Sequence, residues 1–67
     1  MTELPPKANL TVSTIATYLD LDENTIYDMA AAGALPAFKV GRLWRIPRIE
    51  FLAWYRKKLV EQNIPPA

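Results

Sequence analysis

Four basic residues of this 67-residue chain lie within a stretch of ten positions, namely Lys39, Arg42, Arg45 and Arg48. They are half of its eight basic residues, and no acidic residue lies between Asp28 and Glu50. Clustered Lys and Arg side chains neutralise phosphates, so this spacing predicts contact with the backbone of a nucleic acid. The alternative is a solvated face that protects strand edges. We favour phosphate contact because no acidic residue compensates the cluster.

The chain lacks the side chains that most enzymes use for acid–base and metal chemistry. It contains no histidine and no cysteine, which removes the commonest general base, the commonest metal ligand and any thiolate site. Ser13 is its sole serine, and without histidine no base is available to activate the hydroxyl. We therefore predict no enzymatic activity, no metal site and no cofactor.

Composition indicates one small folded domain. Apolar residues make up 51% of the chain and charged residues 22%, which is typical of globular proteins rather than disordered ones. The formal net charge is only +1, so the distribution of charge, rather than its sum, must support nucleic-acid binding. No apolar run is long enough to span a membrane and no signal peptide is recognisable, which predicts a cytoplasmic location.

The cations surround a predicted β-hairpin. Gly41-Arg42 separates two short apolar runs, and glycine at the first central position suits the primed turns whose twist matches paired strands. We therefore predict strands near 37–40 and 43–46, with Arg42 at the tip.

Both faces of this hairpin carry bulky apolar side chains. Strand alternation places Val40 and Leu43 on one face with Phe38, and Trp44 and Ile46 on the other. Only one face can cover the core well, and in a domain this small we expect it to be the one with Trp44. The other face is then exposed or contacts a partner.

Apolar residues at helical spacing predict three helices. Their inner faces are Val12, Ile15, Ala16 and Leu19 in the first, Ile26, Met29 and Ala30 in the second, and Phe51, Leu52, Tyr55 and Leu59 in the third. Either Thr11 or Ser13 caps the first helix, and Asp22 caps the second, which ends at Gly33 in the left-handed conformation. The third has Pro47 in its first turn and extends to about Gln62.

The link between the first two helices is short, consisting of Asp20-Leu21-Asp22. Links of this length join the helices of a helix-turn-helix, which we prefer to a simple helical hairpin because a predicted wing follows. Asp20 lies where glycine is usual, and aspartate tolerates the left-handed conformation better than most residues.

The order and spacing of these pieces resemble the excisionase-type winged helix-turn-helix family, a minimal relative of the MerR DNA-binding domain. The matching residues lie within about 10–55 and are Leu10-Thr11-Val12, Ile15-Ala16, Leu19, Thr25-Ile26-Tyr27, Gly33-Ala34-Leu35-Pro36-Ala37, Val40-Gly41-Arg42, Trp44-Arg45-Ile46-Pro47 and Phe51. The resemblance implies a bacterial, archaeal or phage protein that binds double-stranded DNA. Such proteins include transcription regulators and recombination factors that bend DNA for an integrase.

The resemblance also implies that the second helix enters the major groove, while the wing contacts the backbone or minor groove. The candidate base contacts are Asn24, Thr25, Tyr27 and Asp28. Asn24 suits adenine, and a carboxylate can accept a hydrogen bond from cytosine. Four acidic residues on or beside this helix, Asp20, Asp22, Glu23 and Asp28, oppose phosphate binding, although Asp22 and Glu23 also favour a helix N-terminus.

Trp54 on the third helix is a candidate contact with a protein partner. It lies about a third of a turn from the buried stripe, among charged residues, and an exposed tryptophan in such surroundings often marks an interface. Partial burial under a proline of the C-terminal tail is an equal alternative. The neighbouring run Arg56-Lys57-Lys58 is expected to be solvated surface.

Taken together, these patterns predict an α+β, mostly helical winged helix-turn-helix domain over residues 10–62, with a two-stranded hairpin wing. Residues 1–9 and 63–67 are predicted to be flexible tails. The predicted function is sequence-specific binding of double-stranded DNA, as an excisionase-like accessory factor or a small transcription regulator. An integrase, a recombinase or another protein is the candidate protein partner. The alternative is a protein-interaction module that has kept the fold and lost DNA binding through its acidic second helix.

Overall fold

The computed structural model describes residues 4–63. In chain order its elements are β1 (Asn9–Leu10), α1 (Val12–Leu19), α2 (Glu23–Ala32), β2 (Phe38–Val40), β3 (Leu43–Pro47) and α3 (Arg48–Glu61). The three strands form an antiparallel sheet in the order β1-β3-β2. The predicted α+β, mostly helical winged helix-turn-helix architecture is confirmed.

The turn between α1 and α2 has the predicted backbone conformation. Asp20 adopts φ 56° and ψ 47°, in the left-handed region. The amide of Leu21 donates to the carbonyl of Ala16 at 2.9 Å, and the amide of Asp20 donates to that of Thr17 at 3.2 Å. These bonds satisfy carbonyls at the end of α1 and reverse the chain within a few residues, so that α2 can pack across α1.

The caps of the first two helices differ. Thr11, rather than Ser13, caps α1, since its hydroxyl accepts a hydrogen bond from the amide of Thr14 at 3.1 Å. Asp22 occupies the N-cap position of α2, but its carboxylate makes no capping hydrogen bond, so the capping role predicted for that side chain is wrong. Its charge still lies at the positive end of the helix dipole. Gly33 ends α2 with φ 73°, as predicted.

One apolar core joins the helices to the sheet. Its buried members are Leu10, Val12, Ile15, Ala16, Ile26, Leu35, Ile46 and Phe51. The predicted inner faces of α1 and α2 are confirmed in Val12, Ile15, Ala16, Ile26 and Ala30. The predicted stripe on α3 is buried only at Phe51, while Leu52, Tyr55 and Leu59 are half-buried.

An unpredicted strand, β1, extends the two-stranded wing to a three-stranded sheet. Asn9 pairs with Pro47 and Leu10 with Ile46, and the amide of Arg48 donates to the carbonyl of Ala8 at 2.9 Å. The segment preceding residue 10 is therefore in part attached to the domain, and Leu4 also packs against the core. Residues 1–3 and 64–67 lie outside the described part of the chain, and the flexibility predicted for the tails remains a prediction.

Within residues 4–63, no helix is both long enough and apolar enough to cross a membrane. The same residues bring together no group of three or more side chains suited to holding a metal ion.

Candidate nucleic-acid interface

The solvent-facing side of α2 lies opposite the residues that anchor it. Ile26 and Ala30 are buried, whereas Asn24, Asp28 and Ala31 are exposed. Positions separated by four and seven residues share one face of a helix. The structure therefore places Asn24 and Asp28 along the centre of the exposed face.

The other two candidate base contacts flank this face. Thr25 and Tyr27 are exposed on opposite sides of it, Tyr27 to 45%. All four predicted side chains are thus accessible at the first two turns of α2. Asn24 can offer a donor and an acceptor to adenine, while the carboxylate of Asp28 can only accept, which suits the amino group of cytosine.

Exposed alanines continue the same surface. Ala31 and Ala32 are exposed at the end of α2 and were not among the predicted contacts. Their signal is the run Ala30-Ala31-Ala32, in which only Ala30 is buried. Because these side chains are small, this end of the helix can approach another surface closely.

Carboxylates surround α2 without neutralising partners. Asp20, Asp22, Glu23 and Asp28 are all exposed. Among the described residues, Lys58 and Glu61 form the one ion pair, with 3.6 Å between Nζ and Oε1. The α2 surface therefore combines hydrogen-bonding side chains with negative charge, which disfavours phosphates unless cations elsewhere offset it.

The hairpin has the predicted two-residue turn and faces. Gly41 has φ 62°, while Arg42 has no positive φ, a combination that fits a type II′ turn. Phe38 pairs with Arg45, Lys39 with Trp44, and Val40 with Leu43. Directly paired residues share a face of the sheet. The side chains of Phe38, Val40, Leu43 and Arg45 therefore lie on one face, which we call the outer face of the wing.

The inner face of the wing is the one that covers the core, as predicted. Ile46 is fully buried and Trp44 is half-buried against the core. Lys39 belongs to this face, where its Nζ lies 5.7 Å from the centre of the Trp44 ring, a geometry that favours a cation–π interaction.

The four cations that are close in sequence do not form one surface. Arg42 is exposed at the turn, while Arg45 is half-buried and its Nη1 donates to the carbonyl of Trp44 at 2.9 Å. Arg48 is the first residue of α3 rather than part of the wing, and its buried Nε has no hydrogen-bond partner among the described residues. Strand alternation places Lys39 on the face of the wing opposite to Arg45, and of the four cations only Lys39 and Arg42 are exposed.

Trp54 is half-buried rather than exposed. Its ring centre lies 5.7 Å from that of Phe51. Position 54 therefore faces the core more closely than the spacing of apolar residues on α3 predicted. It lines two shallow depressions, one bordered by Gly33–Pro36 and the other by Leu19, Leu21 and Met29. The tail prolines that were predicted to cover it lie outside the described residues.

A family model described as a helix-turn-helix domain matches residues 10–59, which is most of the chain. No curated protein and no solved structure matches the chain.

Proposed function

The chain belongs to the helix-turn-helix domain family, a family of DNA-binding domains, and on that premise we propose that α2 enters the major groove while the wing contacts the backbone or minor groove. The observation that carries this proposal is the exposed face of α2. Asn24 and Thr25 offer hydrogen-bonding groups there, opposite the buried Ile26, and helices of this kind contact base edges through their N-terminal residues.

Arg42 gives the wing its proposed role. Its guanidinium group is at the tip of the hairpin, exposed and free of any ion pair within residues 4–63. An unpaired cation at a projecting turn is suited to phosphate contact. Lys39, Arg45 and Arg48 supplement it from neighbouring positions, and each phosphate contact increases the salt dependence of binding.

The biological role that fits these features is an excisionase-like recombination accessory factor or a small transcription regulator. Both roles require a small DNA-binding domain without chemistry of its own, and they differ in the arrangement of sites on the DNA. The first role adds an integrase or recombinase as protein partner, and Trp54 with the basic residues of α3 is the proposed contact.

The acidic surface of α2 favours a second candidate, a protein-interaction module that no longer binds DNA. Asp28 lies at the centre of the exposed face and has no cation beside it on α2. A carboxylate in the middle of a helix gains little from the helix dipole, so its position has no structural explanation. In this alternative the acidic face of α2 binds a protein instead.

Binding to duplex DNA of mixed sequence separates the two candidates. We expect the native protein to bind a fluorescein-labelled duplex at low ionic strength, measured by anisotropy, and the affinity to fall steeply as salt is added. Arg42→Gln should weaken this binding, whereas the matched control Arg56→Gln on α3 should change it less. Failure to bind any duplex at low salt would favour the interaction module.

A further inference from the structure

The outer face of the wing exposes more apolar surface than a solvated hairpin needs. Phe38 is 41% exposed, and Val40 and Leu43 are each 56% exposed. Val40 and Leu43 form a cross-strand pair immediately before and after the Gly41-Arg42 turn. Two large apolar side chains therefore project together at the tip of the hairpin, away from the core that Trp44 and Ile46 cover on the other face.

A second copy of this chain is a poor occupant for this face. A two-fold interface would place the outer face of one wing against the same face of its partner. The charged residues at that face are Arg45, paired with Phe38, and Arg42 at the turn. Such an interface would bury the apolar pair but would also bring arginines of the two copies together. Like charges in close opposition destabilise an interface.

An anionic partner that can also accept apolar side chains fits better. The minor groove of double-stranded DNA has phosphates along both rims and stacked bases at its floor. Proteins that bind there use cations for the rims and insert apolar side chains between base steps, which unstacks the step and kinks the duplex. Val40 and Leu43 beside Arg42 match this combination of apolar surface and positive charge.

We propose that Val40 and Leu43 form a wedge that enters the minor groove, partly unstacks one base step and bends the DNA. Arg42 contacts the phosphates beside them. The ligand is a duplex with a flexible pyrimidine–purine step such as TA or CA, because these steps are the easiest to unstack. The wedge rests on the proposed DNA-binding function, and adds to it a preference for deformable DNA that requires no hydrogen bond to a base.

Two fluorescence signals test the wedge separately from binding. A duplex of about 30 base pairs, the scale on which protein-induced bends are measured, carries 2-aminopurine in a central TA step and a donor–acceptor pair at its ends. Unstacking raises 2-aminopurine fluorescence, and bending raises energy transfer. Both signals are measured at saturating protein, so that a difference in affinity does not affect them.

The variant Val40→Thr/Leu43→Thr removes most of the apolar wedge and leaves a β-branched residue, which suits a strand, at both positions. Val60→Thr is the matched control, since Val60 is 75% exposed on α3, far along the chain from the wing. We expect the double variant to lose at least half of both signals and to keep the salt dependence of binding. The control should match the native protein in every measurement.

Three other results would overturn the wedge. Binding with equal signals for the native protein and the double variant would overturn the wedge and leave the proposed function intact. An equal loss of signal in Val60→Thr would also overturn it. If the native protein binds no duplex, the proposed function fails and the wedge fails with it. A circular-dichroism melt of each variant confirms that both remain folded.

Discussion

The helix-turn-helix segment and the segment that follows it carry opposite charges. Residues 10–32 contain four acidic residues and no basic one, whereas residues 33–60 contain seven basic residues and a single acidic one. The net charge of +1 conceals this separation. In the proposed DNA complex, phosphate attraction and discrimination between bases therefore have different sources. We propose that the wing and Arg48 at the start of α3 attract phosphates, while α2, which itself repels phosphates, discriminates between bases.

This division has a consequence for specificity. If α2 enters the major groove as proposed, its carboxylates lower the affinity for every sequence alike, while the proposed base contacts by Asn24 and Thr25 act only at suitable sites. A negative charge on α2 then weakens binding to all sequences by a similar factor, so any preference for one site comes from the base contacts.

The acidic and basic segments share one apolar core, and a substitution at Ile26 is the best test of that packing. This side chain is fully buried in α2 and belongs to the cluster that includes Ile46 of β3. Ile26→Ala should lower the free energy of unfolding by about 2–5 kcal/mol, because it removes buried methyl groups and leaves a cavity. Thr25→Ala on the exposed side is the control and should change stability by no more than about 0.5 kcal/mol. Urea denaturation measures both, and equal stabilities would show the packing of α2 to be wrong.

The proposed discrimination between DNA sequences is tested at Asn24. If its amide contacts a base, Asn24→Ala should reduce the free-energy difference between a selected site and random DNA by about 1–3 kcal/mol. Binding constants for the two duplexes give this difference directly. Asn9→Ala on β1 is the control, and an equal loss in both variants would contradict a base contact by Asn24.

The proposed attraction of phosphates is tested by substitutions in the wing. Arg42→Ala/Arg45→Ala should lower the slope of log affinity against log salt by about 2, since each lost phosphate contact removes about one unit. Arg42→Ala alone should account for at least half of this change, because Arg45 is half-buried and bonded to the carbonyl of Trp44. An unchanged slope would remove the wing from the interface.

The smallest effect is expected at Asp28. Asp28→Asn removes one negative charge from the centre of the α2 face, and should raise nonspecific affinity about threefold at low salt, the value for a phosphate at roughly 7 Å in water. Glu50→Gln makes the same chemical change in the basic segment and serves as the comparison. Equal or reduced affinity in Asp28→Asn would mean that α2 does not approach the phosphates.

The sequence predicted the elements that leave a periodic or turn signal. The faces of α1 and α2, the left-handed Asp20 and Gly33, and the hairpin turn at Gly41 are all confirmed. Each depends on local physics, either on helical spacing or on the residues that tolerate positive φ.

What the sequence did not predict depends on contacts between distant residues. A two-residue strand such as β1 has no period to detect, and it exists because Leu10 pairs with Ile46 far along the chain. The sequence left exposure and partial burial of Trp54 as equal alternatives, and its half-burial follows from packing on Phe51 and beside the end of α2. The separation of Lys39 from Arg45 could have been derived from strand alternation, whereas the bond from Arg45 to the Trp44 carbonyl could not.

A titration of the native protein with duplex DNA, followed by amide chemical shifts, tests the central claim most directly. The proposal that α2 and the wing form one DNA interface predicts shifts concentrated in residues 23–28 and 39–48, which become smaller as salt is added. Shifts confined to α3 would contradict that interface. The absence of any shift with a range of duplexes at low salt would contradict DNA binding itself.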